Sequence, residues 1–441
     1  MIGNEKRYTR EDIERIVEEE NVEFIRLQFT DIFGVMKNVA ITKNNLAKAL
    51  DNRFIFDGTY INGFDSSDGE TVNEMFLYPD LDTFEIFPWR PQAGKVARLI
   101  CNVYTTDRMA IEYDPRHVLK RVLEKAQSKG ILANVGPACE FFMFQTDEMG
   151  RPTLESAPEE GYLDLGHSDQ GENVRRDMVF TLEDMNFDIE ASYHEKGRGQ
   201  HEIDFKYLNA LGAADAIMTF KLAVKNVAKK HGLVATFMPK PLNDMVGSGM
   251  HINFSLDRYG ENIFYGEEDE NHLSKEAYSF IAGVLDHLRG MSLITNPIVN
   301  SYKRLDGNIY VPNQVAYASL GKRTAIRIPY FERPEHARIE LKSPDATCNP
   351  YLAIAVILAA GLDGIERGAD ASKYKQGGAL VPEGLPQSLG EAIECFEQDA
   401  FVQEVLGAYI SEKYITQKKE EWSEYIKTVS EWEIDKYFLR G

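Results

Sequence analysis

Two periodicities alternate along the chain. Residues 8–20 space Ile13, Ile16 and Val17 on one face behind Thr9, a suitable N-cap, and predict an amphipathic helix. Residues 22–29 then switch to period two, residues 31–34 form a turn, and 35–41 alternate again, so two strands follow. A short helix is expected over 43–50 and further strands over 83–87 and 96–104. The first 105 or so residues therefore read as a small α+β unit. A long helix begins at Pro115. Beyond it, apolar patterns at helical spacing cover 213–231, 276–295, 349–365 and most of 384–439. Strand patterns lie between them, with neither a βαβ rhythm nor a Gly-x-Gly-x-x-Gly loop. The expected fold class is α+β: a small N-terminal domain over 1–108, and a larger domain over 109–441 with a curved antiparallel sheet, a partial barrel, inside helices.

Several of these strands carry an unusual polar face. In His251-Ile-Asn-Phe-Ser255, Ile252 and Phe254 take one side and His251, Asn253 and Ser255 the other. Arg338-Ile-Glu-Leu-Lys342 repeats the pattern, with Arg338, Glu340 and Lys342 opposite Ile339 and Leu341. Gly136-Pro-Ala-Cys-Glu140 offers one inward acid, Glu140. The segment 189–205 reads as a hairpin whose Gly-rich turn brings Glu195 and Glu202 towards each other. Carboxylates sharing one space are costly unless a cation neutralises them. Glu140, Glu195, Glu202, His251 and Glu340 are accordingly candidate ligands of a hard divalent cation, Mg²⁺ or Mn²⁺. Arg304, Arg327 and Arg338 lie near the same strands and suit an anion. The glycines of Val246-Gly-Ser-Gly-Met-His251 are expected to let backbone approach a ligand. A metal half and an anion half together point to phosphoryl transfer on a metal-bound phosphate.

Bulk properties narrow the setting. The 441 residues carry a net charge of −21, which disfavours nucleic acid as a partner. Four scattered cysteines form no Cys-x-x-Cys pair, so neither structural zinc nor a disulfide framework is expected. No apolar run is long enough to span a bilayer, and the N-terminus lacks an apolar leader. A cytoplasmic enzyme without a membrane partner is the expectation.

Taken in order, further segments carry a resemblance: Arg26-Leu-Gln-Phe-Thr-Asp-Ile, Tyr78-Pro-Asp-Leu-Asp-Thr-Phe, Gly171-Glu-Asn-Val-Arg-Arg-Asp, Gly199-Gln-His-Glu-Ile-Asp-Phe, Phe237-Met-Pro-Lys-Pro, Gly247-Ser-Gly-Met-His, Asn300-Ser-Tyr-Lys-Arg-Leu and Asn349-Pro-Tyr-Leu-Ala. Over essentially the whole chain they resemble type I glutamine synthetase, most closely the short Gram-positive form. The resemblance implies an N-terminal β-grasp domain, a dodecamer of two hexameric rings with sites shared between subunits, and ATP-driven phosphorylation of the glutamate γ-carboxylate before ammonia displaces phosphate. By the same resemblance Glu140, Glu195 and Glu202 hold the metal facing glutamate, and His251 and Glu340 the metal on the ATP phosphates. Arg304, Arg327 and Arg338 contact phosphate, Lys342 stands for an arginine of the glutamate site, and Gly247 and His251 belong to that site. Glu190, Tyr207 and Ser255 line the nucleotide pocket, and Asp57 comes from a neighbouring subunit.

The departures fall near the chemistry. The first glutamate of the family's Glu-Pro-Glu strand is Ala138, and Cys139 faces the other way. Val246 stands for a glutamate-site asparagine, and Tyr310 for the flap glutamate that receives the ammonium proton. Tyr60 joins Tyr310 as an aromatic wall. Residues 65–73 carry an apparent insertion, and the family's ammonium-binding aspartate falls near Glu74. A small pocket of acids suits ammonium; losing one acid to an aromatic suits a larger or more apolar amine. The leading expectation is a γ-glutamylamide synthetase that condenses an amine other than ammonia. An ordinary glutamine synthetase and a catalytically weak paralogue with a regulatory or assembly role are the alternatives.

Overall fold

The computed structural model describes residues 8–65, 72–90, 93–156, 161–164, 170–306, 311–378 and 383–440. Helix α1 (Arg10–Glu19) starts where the sequence places it: Thr9 caps it in a reciprocal box with Asp12, and Ile13 and Val17 are buried. Strands β1 (Val22–Thr30), β2 (Met36–Thr42), β3 (Phe54–Asp57), β4 (Glu74–Ile86) and β5 (Lys95–Thr105) build a five-stranded sheet in the order β2-β1-β5-β4-β3, with the short α2 (Leu46–Leu50) between β2 and β3. Its central pair, β1 and β5, is parallel, while the other pairs are antiparallel. This is the β-grasp arrangement the resemblance implies.

The second sheet carries the polar strand faces. It runs β13 (Gln314–Ala318), β14 (Thr324–Arg327), β15 (Ile339–Leu341), β11 (Met250–Arg258), β6 (Ile131–Gln145), β8 (Gln200–Phe205), β7 (Ile189–His194). Three short strands attach to it: β9 (Leu208–Asn209) and β10 (Leu233–Thr236) on β6, and β12 (Glu261–Asn262) on β11. The sheet is antiparallel except for the edge pair β13 and β14, which is parallel.

Helices cover its apolar face: α3 (Pro115–Gln127), α4 (Gln170–Glu183), α5 (Ala210–Lys230), α6 (Lys275–Thr295), α7 (Val299–Leu305) and α8 (Pro350–Arg367). The C-terminal run is α9 (Leu389–Gln398), α10 (Ala400–Leu406), α11 (Ala408–Lys427) and α12 (Glu431–Tyr437). Asn349 caps α8 through Tyr351 and Leu352 N–H, Pro350 sits in its first turn, and Gly368 ends it in the left-handed region. Helices α6 and α8 cross where Gly283 and Gly364 meet: a Cβ on Gly283 would lie 2.1 Å from the Ala360 carbonyl oxygen. One continuous apolar core joins these helices to Val135, Cys139, Phe141, Ile252, Phe254, Ile339 and Leu341. The odd-numbered residues of β6 thus face the core, and the even-numbered ones face the opposite space.

Candidate active site

Strand pairing assembles the acids. Glu140 on β6 lies directly across from Glu202 on β8, and His251 on β11 lies across from Ala138, two residues along β6. Cross-strand partners share a face, so these side chains converge. Ligand atoms of Glu140, Glu202 and His251 all lie within 4.8 Å of one another. Two carboxylates at that separation, with an imidazole beside them, fit divalent-cation binding with waters completing octahedral coordination.

The charge environment supports the same fit. Burial, with the nearby charge of Glu195 adding to it, raises the Glu140 carboxyl above its ordinary range. Burial raises Glu202 further, reinforced by Glu140, Asp204 and Glu195. These acids repel one another where water screens little, and a cation would remove that cost. Glu140 Oε2 is fixed by the Gly249 N–H at 2.7 Å and the Gln200 amide at 3.2 Å.

Register sets how closely the expected ligands approach one another. The hairpin pairs Glu202 with Tyr193, while Glu195 lies past the end of β7, where its N–H donates to the Gln200 carbonyl. Glu195 is buried, but its Oε2 accepts from the Lys196 N–H at 2.9 Å and the Lys196 ammonium at 3.1 Å. The closest trio of ligand atoms therefore includes His251, and Glu195 stands beside it on Lys196. His251 is only one pleat from Glu140 because Ala138 is its partner.

The other end of the space is built differently. Glu340 lies opposite both Asn253 and Arg327. It forms an ion pair with Arg327 Nε and contacts His251 Nδ1 at 3.3 Å. Burial would raise its carboxyl, but His251 and Arg327 prevail and hold it at about 2. Arg327 itself is 48% exposed, not enclosed between its isoleucine neighbours, because the polar face of β14 opens outwards. Lys342 is partly buried, donates to the carbonyls of Gly321 and Lys322, and has its ammonium lowered to about 8 by burial.

Arg304 is held by backbone carbonyls. It is buried on α7, and its guanidinium donates to the carbonyls of Ser343 (2.7 Å), Pro344 (3.2 Å) and Lys342 (2.9 Å). In this structure the fork is a cross-link and not a free anion grip. The glycines before His251 answer to it: a Cβ on Gly249 would lie 2.4 Å from Arg304 Nη2, and one on Gly247 would lie 2.3 Å from the Pro239 carbonyl. Their smallness therefore serves packing against Arg304 and Pro239. Val246 is half-buried beside them.

Tyr207 packs its ring on Gly136, where a Cβ would come within 2.9 Å, and its buried hydroxyl has no hydrogen-bond partner. Burial raises its phenol, and its charged neighbours are Arg338, Glu340 and Glu190. Ser255 is buried on the face of His251, and Glu190 is exposed. Arg338 donates to the His336 carbonyl. Asp57 and Tyr60 belong to the other sheet's edge: Asp57 is exposed and accepts from Thr59 N–H, and Tyr60 is 89% exposed. Tyr310 and the rest of 307–310, with 66–71 of the apparent insertion, lie outside the described residues.

Three residues of this site escaped the sequence reading. Gln200 is buried and its amide also reaches the Gly247 carbonyl (3.1 Å) and Ser248 Oγ (3.3 Å). Tyr193 faces Glu202, and Asp204 sits opposite Ala138. Burial pushes the Asp204 carboxyl up to about 6. Gln200, Glu202 and Asp204 alternate on one strand, a period-two signal that was available. Behind them His201, held neutral by burial and by Arg175, accepts from Arg175 at 2.8 Å.

Comparison with known proteins agrees with this architecture. Residues 112–437 match the model of the glutamine synthetase catalytic domain, and residues 21–106 that of the glutamine synthetase β-grasp domain. A curated glutamine synthetase of Clostridium saccharobutylicum is 49% identical over 98% of this chain and 99% of its own. One from Staphylococcus aureus strain Mu50 is 47% identical over 98% of both. Among solved structures, GmaS in complex with ADP superposes with a TM-score of 0.87 at 32% identity, covering 97% of this chain and 99% of that one. The Plasmodium falciparum glutamine synthetase shares the fold, with a TM-score of 0.86 at 23% identity, over 98% of this chain and 99% of its own. The chain belongs to the glutamine synthetase family, type I, whose members are ATP-dependent carbon–nitrogen ligases.

Proposed function

We propose that this protein activates the γ-carboxylate of glutamate with ATP and transfers the acyl group to an amine other than ammonia. The carboxylate oxygen attacks the γ-phosphorus and ADP leaves. The amine nitrogen then attacks the acyl carbon, phosphate leaves, and the nitrogen gives up a proton. The observation that carries ligase chemistry is the convergence of Glu140, Glu202 and His251 within 4.8 Å. A divalent cation there, Mg²⁺ or Mn²⁺, would supply charge neutralisation for the transferring phosphoryl group. Glu140, Glu195 and Glu202 would hold it, with His251 between this cation and the ATP side. Arg327 and Arg338 would face the phosphates, Tyr207, Ser255 and Glu190 the nucleoside, and Lys342, Gly247 and Val246 the acid substrate. Arg304 would keep Lys342 and Gly247 in place.

The departure from ammonia rests on Tyr310, which takes the position of the family's flap glutamate, and on Tyr60. A phenol cannot accept the ammonium proton as a carboxylate does, and a ring favours an alkyl or aryl substituent. The likeness to GmaS, solved with ADP, fits the use of ATP. Two hexameric rings sharing Asp57 and Tyr60 across subunits fit the exposure of both residues. The test is an ATP-coupled panel of alkyl-, aryl- and polyamines with mass spectrometry of the products. An alkyl- or arylamine should give the highest kcat/KM; ammonia at the top of the panel would reject the reading. The 47–49% identity to two curated glutamine synthetases favours that second outcome as the competing reading.

A further inference from the structure

A buried acid outside the expected ligand sets faces the same space. His251 is paired with Ala138, and Ala138 with Asp204, so the three form one row across β11, β6 and β8. Partners in a row share a face, and the imidazole and the carboxylate therefore flank the methyl group of Ala138. At a strand spacing of about 4.8 Å their Cα atoms stand roughly 10 Å apart, a span that the two side chains can bridge through a cation. Asp204 Oδ1 is buried and has no hydrogen-bond partner. A carboxylate oxygen in that condition is costly unless a donor or cation completes it. The other oxygen, Oδ2, receives the Tyr193 hydroxyl at 3.4 Å. Meanwhile Glu340 contacts His251 at Nδ1 (3.3 Å), which leaves Nε2 as the ring's remaining donor atom. A carboxylate on the second nitrogen of a ligating histidine orients the ring and raises its basicity.

We propose that Asp204 replaces the ligand that Ala138 cannot provide, holding a second divalent cation with His251 over the Ala138 methyl group while Glu340 orients the imidazole. This rests on reading the polar sheet face as a metal site. It does not depend on which amine the enzyme uses, so the amine panel and the metal count fail separately.

The test counts Mn²⁺ bound to the full-length assembly by electron paramagnetic resonance, with a non-hydrolysable ATP analogue present. Wild type should bind two Mn²⁺ per subunit. Asp204→Asn should retain one, with the second weakened about 10- to 100-fold, and Ala138→Glu added to Asp204→Asn should restore it. Thermal melting and assembly size serve as folding controls. Unchanged Mn²⁺ number and affinity in Asp204→Asn would overturn the proposal, as would failure of Ala138→Glu to rescue. Should Asp204→Asn not fold, wild-type crystals grown with Mn²⁺ decide the matter. An anomalous peak about 2.0–2.2 Å from an Asp204 oxygen supports it, and two peaks both remote from Asp204 refute it.

Discussion

The two ends of the candidate channel share a sheet but balance their charge in opposite ways. At one end Glu140 and Glu202 face each other, and burial and repulsion raise both carboxyls. At the other end Glu340 is as buried as Glu202, yet His251 and Arg327 hold it ionised. The first end is arranged for a cation that the protein itself does not provide. The second comes with its counter-charge already in place. The same residue type at similar depth therefore plays two roles, decided by what its strand neighbours carry.

Removing acids should break this comparison most visibly. Glu202→Gln is expected to lower ATP-dependent turnover about 100-fold or more, as for lost electrostatic stabilisation at a reacting phosphoryl group. The same change should raise the melting temperature of the metal-free protein, since a buried like-charge pair disappears. Differential scanning calorimetry in EDTA checks the sign; a fall in melting temperature would contradict the repulsion argument.

Arg304 ties the two ends together, because its carbonyl partners directly follow the strand of Glu340 while its side chain packs on Gly249, whose N–H holds Glu140. Arg304→Lys keeps the charge but not the fork. It should cost about 2–3 kcal/mol in urea unfolding, as for lost hydrogen bonds to a charged group. A loss below about 0.5 kcal/mol, the range of ordinary surface changes, would deny the cross-link.

Arg327→Ala tests the compensated end. It strips a partner from buried Glu340 and should destabilise the metal-free protein by about 1 kcal/mol, less than for a fully buried pair because Arg327 is half exposed. The sign is opposite to that of Glu202→Gln, and equal signs would erase the contrast between the ends.

Much of this was legible in the sequence because strands carry their burial in a two-residue rhythm. Ile252 and Phe254 face the core, His251 and Asn253 do not, and Cys139 points away from the channel that Glu140 enters. Register was not legible. Nothing in the segment 189–205 says that Glu202 pairs with Tyr193 and not Glu195, since that depends on how many residues the turn consumes. Arg304 and Gly249 could not be read as a packed pair because they are distant along the chain and meet only through tertiary structure. Asp204 was readable in principle: it continues the Gln200, Glu202 alternation, but its meaning came only with Ala138 as its cross-strand partner.

The smallest effect concerns that rhythm. Cys101, Cys139 and Cys348 are buried and Cys395 is partly exposed. Burial also pushes the first three thiols well up, away from the reactive thiolate. One thiol per chain should react promptly with a disulfide reagent in the native protein, with no loss of turnover. Prompt labelling of Cys139 would place it on the channel side and reverse the assigned faces of β6.

The most direct measurement is a calorimetric Mn²⁺ titration of wild type and Glu202→Gln side by side, in the full-length assembly. A cation held by Glu140 and Glu202 predicts tight wild-type binding that weakens at least tenfold in the variant. Equal affinity in the two proteins would contradict the channel's assignment as a metal site.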